Sequence, residues 1–270
     1  MRARVLMATL ALAVTVGWAG PQEHATSDDT DLRAALRTTS AAGSAHLRAA
    51  IPPLANSGGV RPPDCDVKRC VALTYDDGPG LPTPRLLDIL AARHAPATFF
   101  LVGEMVRLRP DTALRTARAG HEIGVHTWNH SDLTTLSERQ IESQLKRTFD
   151  IIRRVTGVRS TLMRPPYGAT NRLVRRVAGR LGLAEILWDV DTADWRDRNA
   201  SLVASRAVRR ARRDSIILMH DIRPTTVDAA ARIIRGLRAR GFTLVTVSEL
   251  LGNPKPGVSY YRTGAQVVIK

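Results

Sequence analysis

Seven short apolar runs recur between longer stretches of helical periodicity, and this alternation limits the chain to a small set of folds. The runs are VALTY (71–75), ATFFLV (97–102), EIGVH (122–126), STLMR (160–164), AEILWDV (184–190), SIILM (215–219) and FTLVTV (242–247). Near-continuous apolar runs of this length read as strands buried on both faces, as in parallel sheets. The stretches between them carry helix signals. In SERQIESQLKRTFDIIRRVTG, Ser137 and Gln140 form a capping-box pair, Ile141, Leu145, Phe149 and Ile152 recur at helical spacing, and Gly157 stands where a C-terminal cap belongs.

Strands alternating with helices predict βα units and a parallel sheet. Seven such units closed on themselves give an α/β fold, a distorted (β/α)7-type barrel related to the TIM barrel but one unit short. The polar residues at the end of each run then gain significance. The first run ends at Asp76-Asp77, the third at His126-Thr-Trp-Asn-His130 and the fourth at Arg164-Pro-Pro-Tyr167-Gly168. The fifth leads to Asp191-Thr-Ala-Asp194-Trp195 and the sixth to His220-Asp221. A parallel barrel brings all these strand ends to one face, the face on which such barrels carry their sites.

These residue types suit metal-assisted hydrolysis. His126 and His130 are four apart, and one helical turn would put both imidazoles on one side. Two histidines and a carboxylate leave open positions for water and substrate, as in catalytic zinc sites. Of Asp76 and Asp77, one can bind the metal and the other accept a proton. Arg164, stiffened by the prolines after it, can hold a carboxylate in a fixed fork. The Tyr167 backbone N–H can face a developing oxyanion. His220, held protonated by a nearby Asp such as Asp191, is a candidate general acid. Trp195 reads either as a core residue or as a platform for a sugar ring. His121 reads as structural, and His24, His46 and His94 as surface residues.

TYDDGP, HTWNH, RPPYG, DTADW and LMH together resemble, in order, the five motifs of the polysaccharide deacetylase family, also called carbohydrate esterase family 4 or NodB-homology domains. The resemblance runs from about Cys65 to Leu251, and Tyr75 stands where the family more often has Phe. It implies Asp76 as general base, Asp77, His126 and His130 as ligands of one divalent metal (zinc, with cobalt an alternative), and Arg164 as the residue orienting Asp76. It further implies Tyr167 in the oxyanion hole and Asp191 tuning His220, the general acid. Tyr167, Trp195 and Leu218 are expected to meet the substrate. The implied reaction removes acetyl groups from N-acetylglucosamine of an acetylated glycan, with peptidoglycan expected ahead of chitooligosaccharide or acetylxylan. A non-catalytic wall-binding module is the reading from another class. DVDTA (189–193) partly resembles the D-x-D motif of haloacid-dehalogenase-type phosphatases, but Ala193 departs from that pattern.

The remaining features bear on location. Arg2 and Arg4 precede a short apolar stretch, Val5 to Trp18, so residues 1–20 read as a secretory signal, with membrane attachment only if it stays uncleaved. Residues 21–63 are rich in Ala, Ser, Thr, Gly and Pro and read as a low-complexity spacer, 64–255 as the catalytic domain and 256–270 as a tail. Cys65 and Cys70 suggest a disulfide in an exported protein. With 40 Lys and Arg against 25 Asp and Glu, the net charge of +15 favours an acidic polymer outside the cell. No nucleic-acid-binding motif accompanies the charge, and the expected protein is a secreted or wall-associated monomer.

Overall fold

The computed structural model describes residues 63–252, 254–262 and 265–266; the expected leader and nearly all of the expected spacer lie outside them. Ten strands form one sheet: β1 (Cys70–Asp76), β2 (Thr98–Leu101), β3 (Glu122–Val125), β4 (Leu162–Met163), β5 (Ala184–Ile186), β6 (Val190–Asp191), β7 (Ser215–His220), β8 (Thr243–Val245), β9 (Ser259–Arg262) and β10 (Ala265–Gln266). The helices are α1 (Thr83–Ala91), α2 (Gly103–Leu108), α3 (Pro110–Arg118), α4 (Glu138–Thr156), α5 (Arg172–Arg180), α6 (Asp194–Asp197), α7 (Ala200–Arg210), α8 (Pro224–Ala239) and α9 (Val247–Leu251).

Seven strands close a barrel in the order β9-β5-β4-β3-β2-β1-β7, and Ser215 pairing with Arg262 joins the two ends. The expected α/β barrel is therefore present, but its staves differ from the expectation in two places. The run 184–190 is not one strand: β5 stays in the ring beside β4, while β6 pairs with Ile217 and Leu218 in the middle of β7. Asp189 makes the break, because its carboxylate accepts from Ile216 N–H at 2.8 Å and Ser215 Oγ at 2.9 Å. The run 242–247 is also not a stave. β8 pairs only with Cys70–Ala72 of β1, whose other half on that edge is taken by β2. The seventh stave is β9, from the segment expected to be a tail. It runs parallel to β5, and Ser259 Oγ donates to the buried Glu185 carboxylate at 2.5 Å. Thr170 Oγ1 donates to the other oxygen at 2.6 Å, so this buried acid anchors the closure.

The two-residue period of β1 divides the core. Val71, Leu73 and Tyr75 face the helices, where they join Leu86, Ile141, Leu145, Ile152 and Ile233. Cys70 and Ala72 belong to a second cluster with Phe100, Ile186, Ile216 and Tyr260. Thr74 and Asp76 continue that second face. α4 forms as its sequence predicts, with the Ser137–Gln140 capping box and Gly157 in the left-handed conformation at its end. The Cys65–Cys70 disulfide is formed and fastens the chain to the start of β1.

Candidate active site

Asp76 is the last residue of β1 and Asp77 begins the turn after it. This one-residue step separates the two acids. Asp76 keeps the strand direction and meets Arg164, whose Nη1 donates to Asp76 Oδ1 at 2.8 Å. Asp77 has φ 73°, and this left-handed turn aims its Oδ1 at His126 Nε2 (3.3 Å) and His130 Nε2 (3.2 Å). Gly78 comes next because nothing larger fits: a Cβ there would lie 2.1 Å from the Asp221 carboxylate.

Arg164 is fully buried, an unusual place for a guanidinium, and four of its five donors are used. Nη1 also reaches Thr74 Oγ1 at 2.7 Å, Nε the Ile186 carbonyl at 3.0 Å and Nη2 the Leu187 carbonyl at 3.1 Å. The cation lies 4.2 Å from the centre of the Phe100 ring. Such a residue holds Asp76 in one orientation.

The two histidines reach one point by a route other than the expected helical turn. β3 stops at Val125, and residues 127–130 form a loop with positive φ at Thr127 (62°) and His130 (61°). The Arg164 carbonyl lies 2.7 Å from His126 Nδ1, which makes Nδ1–H the donor and leaves the Nε2 lone pair facing Asp77. His130 Nδ1 is 3.1 Å from Tyr167 Oη. Asp77 Oδ1 is buried and has no hydrogen-bond partner within the protein, although it and the two imidazole nitrogens lie within 4.8 Å of one another. Burial raises its pKa, but the neighbouring imidazoles, the His130 charge first, outweigh that and hold it well below the usual carboxylate range. An anionic carboxylate, two imidazole nitrogens and an orphaned oxygen fit a divalent cation.

Across the mouth, His220 ends β7. Its partner is Asp194, which corrects the expected Asp191. Asp194 Oδ1 is 2.8 Å from His220 Nδ1, and Asp194 Oδ2 accepts from His220 N–H at 2.8 Å and from Thr226 Oγ1 at 2.6 Å. Asp191 instead closes its own turn, accepting from Ala193 N–H at 2.6 Å. That turn, with Ala193 at φ 53°, starts α6 and carries Asp194 inward. Burial alone would lower the His220 pKa. The Asp194 charge and hydrogen bond, with Asp77 and Asp76 farther off, carry it up to about 10. With Asp189 bonded to the start of β7 and Asp191 closing its own turn, the phosphatase-type reading of DVDTA has no common site.

Two residues without a role in the sequence reading complete the mouth. The fully buried Asp221 accepts from Thr83 Oγ1 at 2.6 Å, and Thr83 Oγ1 accepts from Gly80 N–H at 2.7 Å, so α1 and β7 together brace the Asp-Asp-Gly-Pro-Gly turn. Burial pushes the Asp221 carboxyl up to about 7, with Asp77 and Asp76 adding to the rise against the Thr83 hydrogen bond. The available signal was Asp221 beside His220 combined with the small residue at 78.

Tyr167 is 53% exposed at the rim with φ 61°. Leu218 is buried on β7, where its carbonyl accepts from Thr192 Oγ1 at 2.9 Å, and it joins neither core cluster. Trp195 is half-buried, 5.9 Å from the Arg196 guanidinium. His121 is buried against Phe99 and removed from the mouth, and His94 is exposed, as read from the sequence.

Comparison with known proteins agrees with this geometry. The family model for polysaccharide deacetylase matches residues 64–186. The peptidoglycan-N-acetylmuramic acid deacetylase PdaC of Bacillus subtilis (strain 168) is 42% identical over 184 residues, 68% of this chain and 39% of that protein. The peptidoglycan-N-acetylglucosamine deacetylase PgdA of Listeria monocytogenes is 39% identical over 191 residues, 70% of this chain and 40% of that protein. The chain thus spans about two fifths of the length of these curated relatives. A solved T48 deacetylase with substrate superposes with a TM-score of 0.70 at 42% identity, over 73% of this chain and 98% of that one. A shared fold at 42% identity over 73% of this chain and 98% of that structure, with the family model matching residues 64–186, makes this chain a member of the polysaccharide deacetylase family.

Proposed function

We propose that this protein is a secreted, divalent-metal-dependent deacetylase that hydrolyses N-acetyl groups on N-acetylglucosamine residues of peptidoglycan, releasing acetate. The observation that carries the reading is the joint placement of Asp77, His126 and His130 around one point, with Asp76 and His220 on either side. A divalent ion held by Asp77, His126 and His130, with zinc proposed and cobalt as substitute, would supply electrophilic activation of water and of the acetyl carbonyl.

The chain's own groups do the rest. Asp76, oriented by Arg164, takes a proton from the attacking water. The Tyr167 backbone N–H is assigned to the oxyanion, and the Tyr167, Trp195 and Leu218 side chains to the substrate. His220, with its pKa at about 10, is an imidazolium at neutral pH and gives its proton to the departing nitrogen. Asp194 keeps it charged and aimed.

Export rests on the leader-like residues 1–20, and no helix among the described residues is long and apolar enough to cross a membrane. Relatives are named for deacetylation of both N-acetylmuramic acid and N-acetylglucosamine, so the sugar is the point to test. Purified protein is incubated with purified peptidoglycan and the digested muropeptides are weighed by mass spectrometry. Loss of one acetyl on glucosamine is the expected result, and loss on muramic acid would redirect the assignment. Acetate release from chitooligosaccharide or acetylxylan, with none from peptidoglycan, would overturn it. Chelation should abolish the activity and zinc or cobalt restore it. The non-catalytic alternative predicts a missing ligand or base, and the sequence carries Asp76, Asp77, His126, His130 and His220 at the positions proposed for these roles.

A further inference from the structure

The N-terminal ends of β1 and β8 gather arginines that the proposed chemistry does not use. Arg69 precedes the first residue of β1, and Arg240 and Phe242 precede β8. The Arg69 guanidinium stands 4.5 Å from the centre of the Phe242 ring and that of Arg240 5.2 Å, so two cations share one aromatic platform. Backbone bonds lock them together: Thr243 N–H donates to the Arg69 carbonyl at 2.9 Å, and Arg69 Nη1 donates to the Arg240 carbonyl at 3.2 Å. Arg240 Nη1 reaches the Val208 carbonyl, and Arg238 Nη2 the His94 carbonyl at 3.0 Å. Helices α7 and α8 touch where a Cβ on Gly236 would lie 2.7 Å from Val208 Cγ2. Arg209 and Arg235 are the exposed chain neighbours of the touching residues.

These five arginines differ from four others on the surface. Arg85, Arg115, Arg176 and Arg180 each face a carboxylate. Among the described residues, none of Arg69, Arg209, Arg235, Arg238 and Arg240 is in an ion pair, and all five are exposed. Capping the last carbonyls of helices is an ordinary role for arginine, but it uses one donor of five and leaves the like charges uncompensated. Packed cations with no acid between them raise the local concentration of anions. The planar fork of arginine matches phosphate oxygens two at a time.

We propose that this end of the barrel is a docking surface for a linear polymer carrying regularly spaced phosphates. At ~3.3 Å per residue, β1 sets the patch about 20 Å from Asp76, so a polymer held there leaves the mouth open. The surface does not depend on the proposed reaction.

The test titrates the full-length protein with fluorescent poly(glycerol phosphate) of defined length. Wild type should bind saturably and more weakly as salt rises. R69Q/R238Q/R240Q should bind roughly a hundredfold more weakly, at about fivefold per cation removed from an anionic surface. R209Q/R235Q should lose about twentyfold on the same scale and guards against misfolding of the triple variant, because neither side chain holds a hydrogen bond among the described residues. R139Q/R153Q/R154Q, on the exposed face of α4, removes as much charge elsewhere and should bind within about twofold of wild type. Equal loss in that control, or no loss in both patch variants, overturns the proposal. So does binding to phosphatidylglycerol vesicles without binding to the polymer. Acetate release from a neutral chitooligosaccharide should be unchanged in R209Q/R235Q. Failure of wild type to release acetate would sink the proposed function and leave the docking measurement standing.

Discussion

The two ends of the barrel hold their charges in opposite ways. At the C-terminal ends of the strands, charged groups are buried and each is fixed by another: Arg164 by Asp76, His220 by Asp194, Asp77 by two imidazoles. Asp77, Thr127, His130, Tyr167 and Ala193 all adopt positive φ there. Left-handed backbone at non-glycine residues costs about 1–3 kcal/mol each and persists where the surroundings enforce it. At the N-terminal ends, the Glu122 carboxylate is tied into the fold and free charge lies outside. The Glu122 carboxylate accepts from Thr98 Oγ1 at 2.8 Å and from Ser248 N–H at 3.2 Å, closing the start of α9, while the arginines around Phe242 face solvent. One end aims its ligand-type atoms at a common point and the other gathers none among the described residues, so the contrast separates a site from a foundation.

Substitutions at the two ends should therefore fail differently. The largest effect is expected from Asp76→Asn, which keeps shape and removes the proton acceptor. kcat should fall ~10²–10⁴-fold while calorimetry still detects divalent-ion binding. Lost ion binding would mean that the two aspartates have exchanged roles. Next comes Arg164→Met, which leaves Asp76 buried without its cation. Breaking one partner of a buried pair costs about 3–5 kcal/mol, read as a lower urea midpoint, and an unchanged midpoint would deny the pairing its importance.

Asp194→Asn should act through pH. The folded pKa of His220 is raised to about 10 above its ordinary 6.5. The stabilisation is therefore fully present below pH 6.5 and is lost as pH rises through about 10. The gap in urea midpoint between wild type and Asp194→Asn should be widest near pH 6 and shrink by pH 10.5, and the His220 resonance of the variant should titrate at lower pH. A gap independent of pH would contradict this coupling. The smallest effect belongs to the far end. Glu122→Ala orphans two donors and should cost about 1–3 kcal/mol in stability with kcat unchanged. A matching fall in kcat would show that the two ends are not independent.

Much of the mouth was legible in the sequence because strand ends are marked by abrupt changes from apolar to polar. Asp76, Asp77, His126, His130, Arg164 and His220 stand at such edges, and a parallel barrel has only one face for them. The missed residue, Asp194, lies three positions past the expected Asp191 in the same motif. Spacing alone does not tell which carboxylate turns inward; the left-handed Ala193 does. Thr83 and Asp221 were hidden for a similar reason, since they meet across 138 positions of sequence.

The sequence by itself determined local states: which runs extend, where α4 begins and ends, and which polar residues each strand delivers. These depend on neighbours within a turn or two, and the capping box at Ser137 shows how much such short-range chemistry specifies. Only the tertiary structure decided which strands close the ring. β8 is as apolar as a stave yet shares an edge of β1 already half taken by β2, while Ser259–Arg262, a short stretch with two tyrosines and an arginine, fills the gap between β5 and β7. Closure rewards the segment that satisfies two open edges and the buried Glu185, and those partners lie 74 residues or nearly 50 residues away in the chain. Pairing over such separations carries no local signature, so only the folded barrel reveals it.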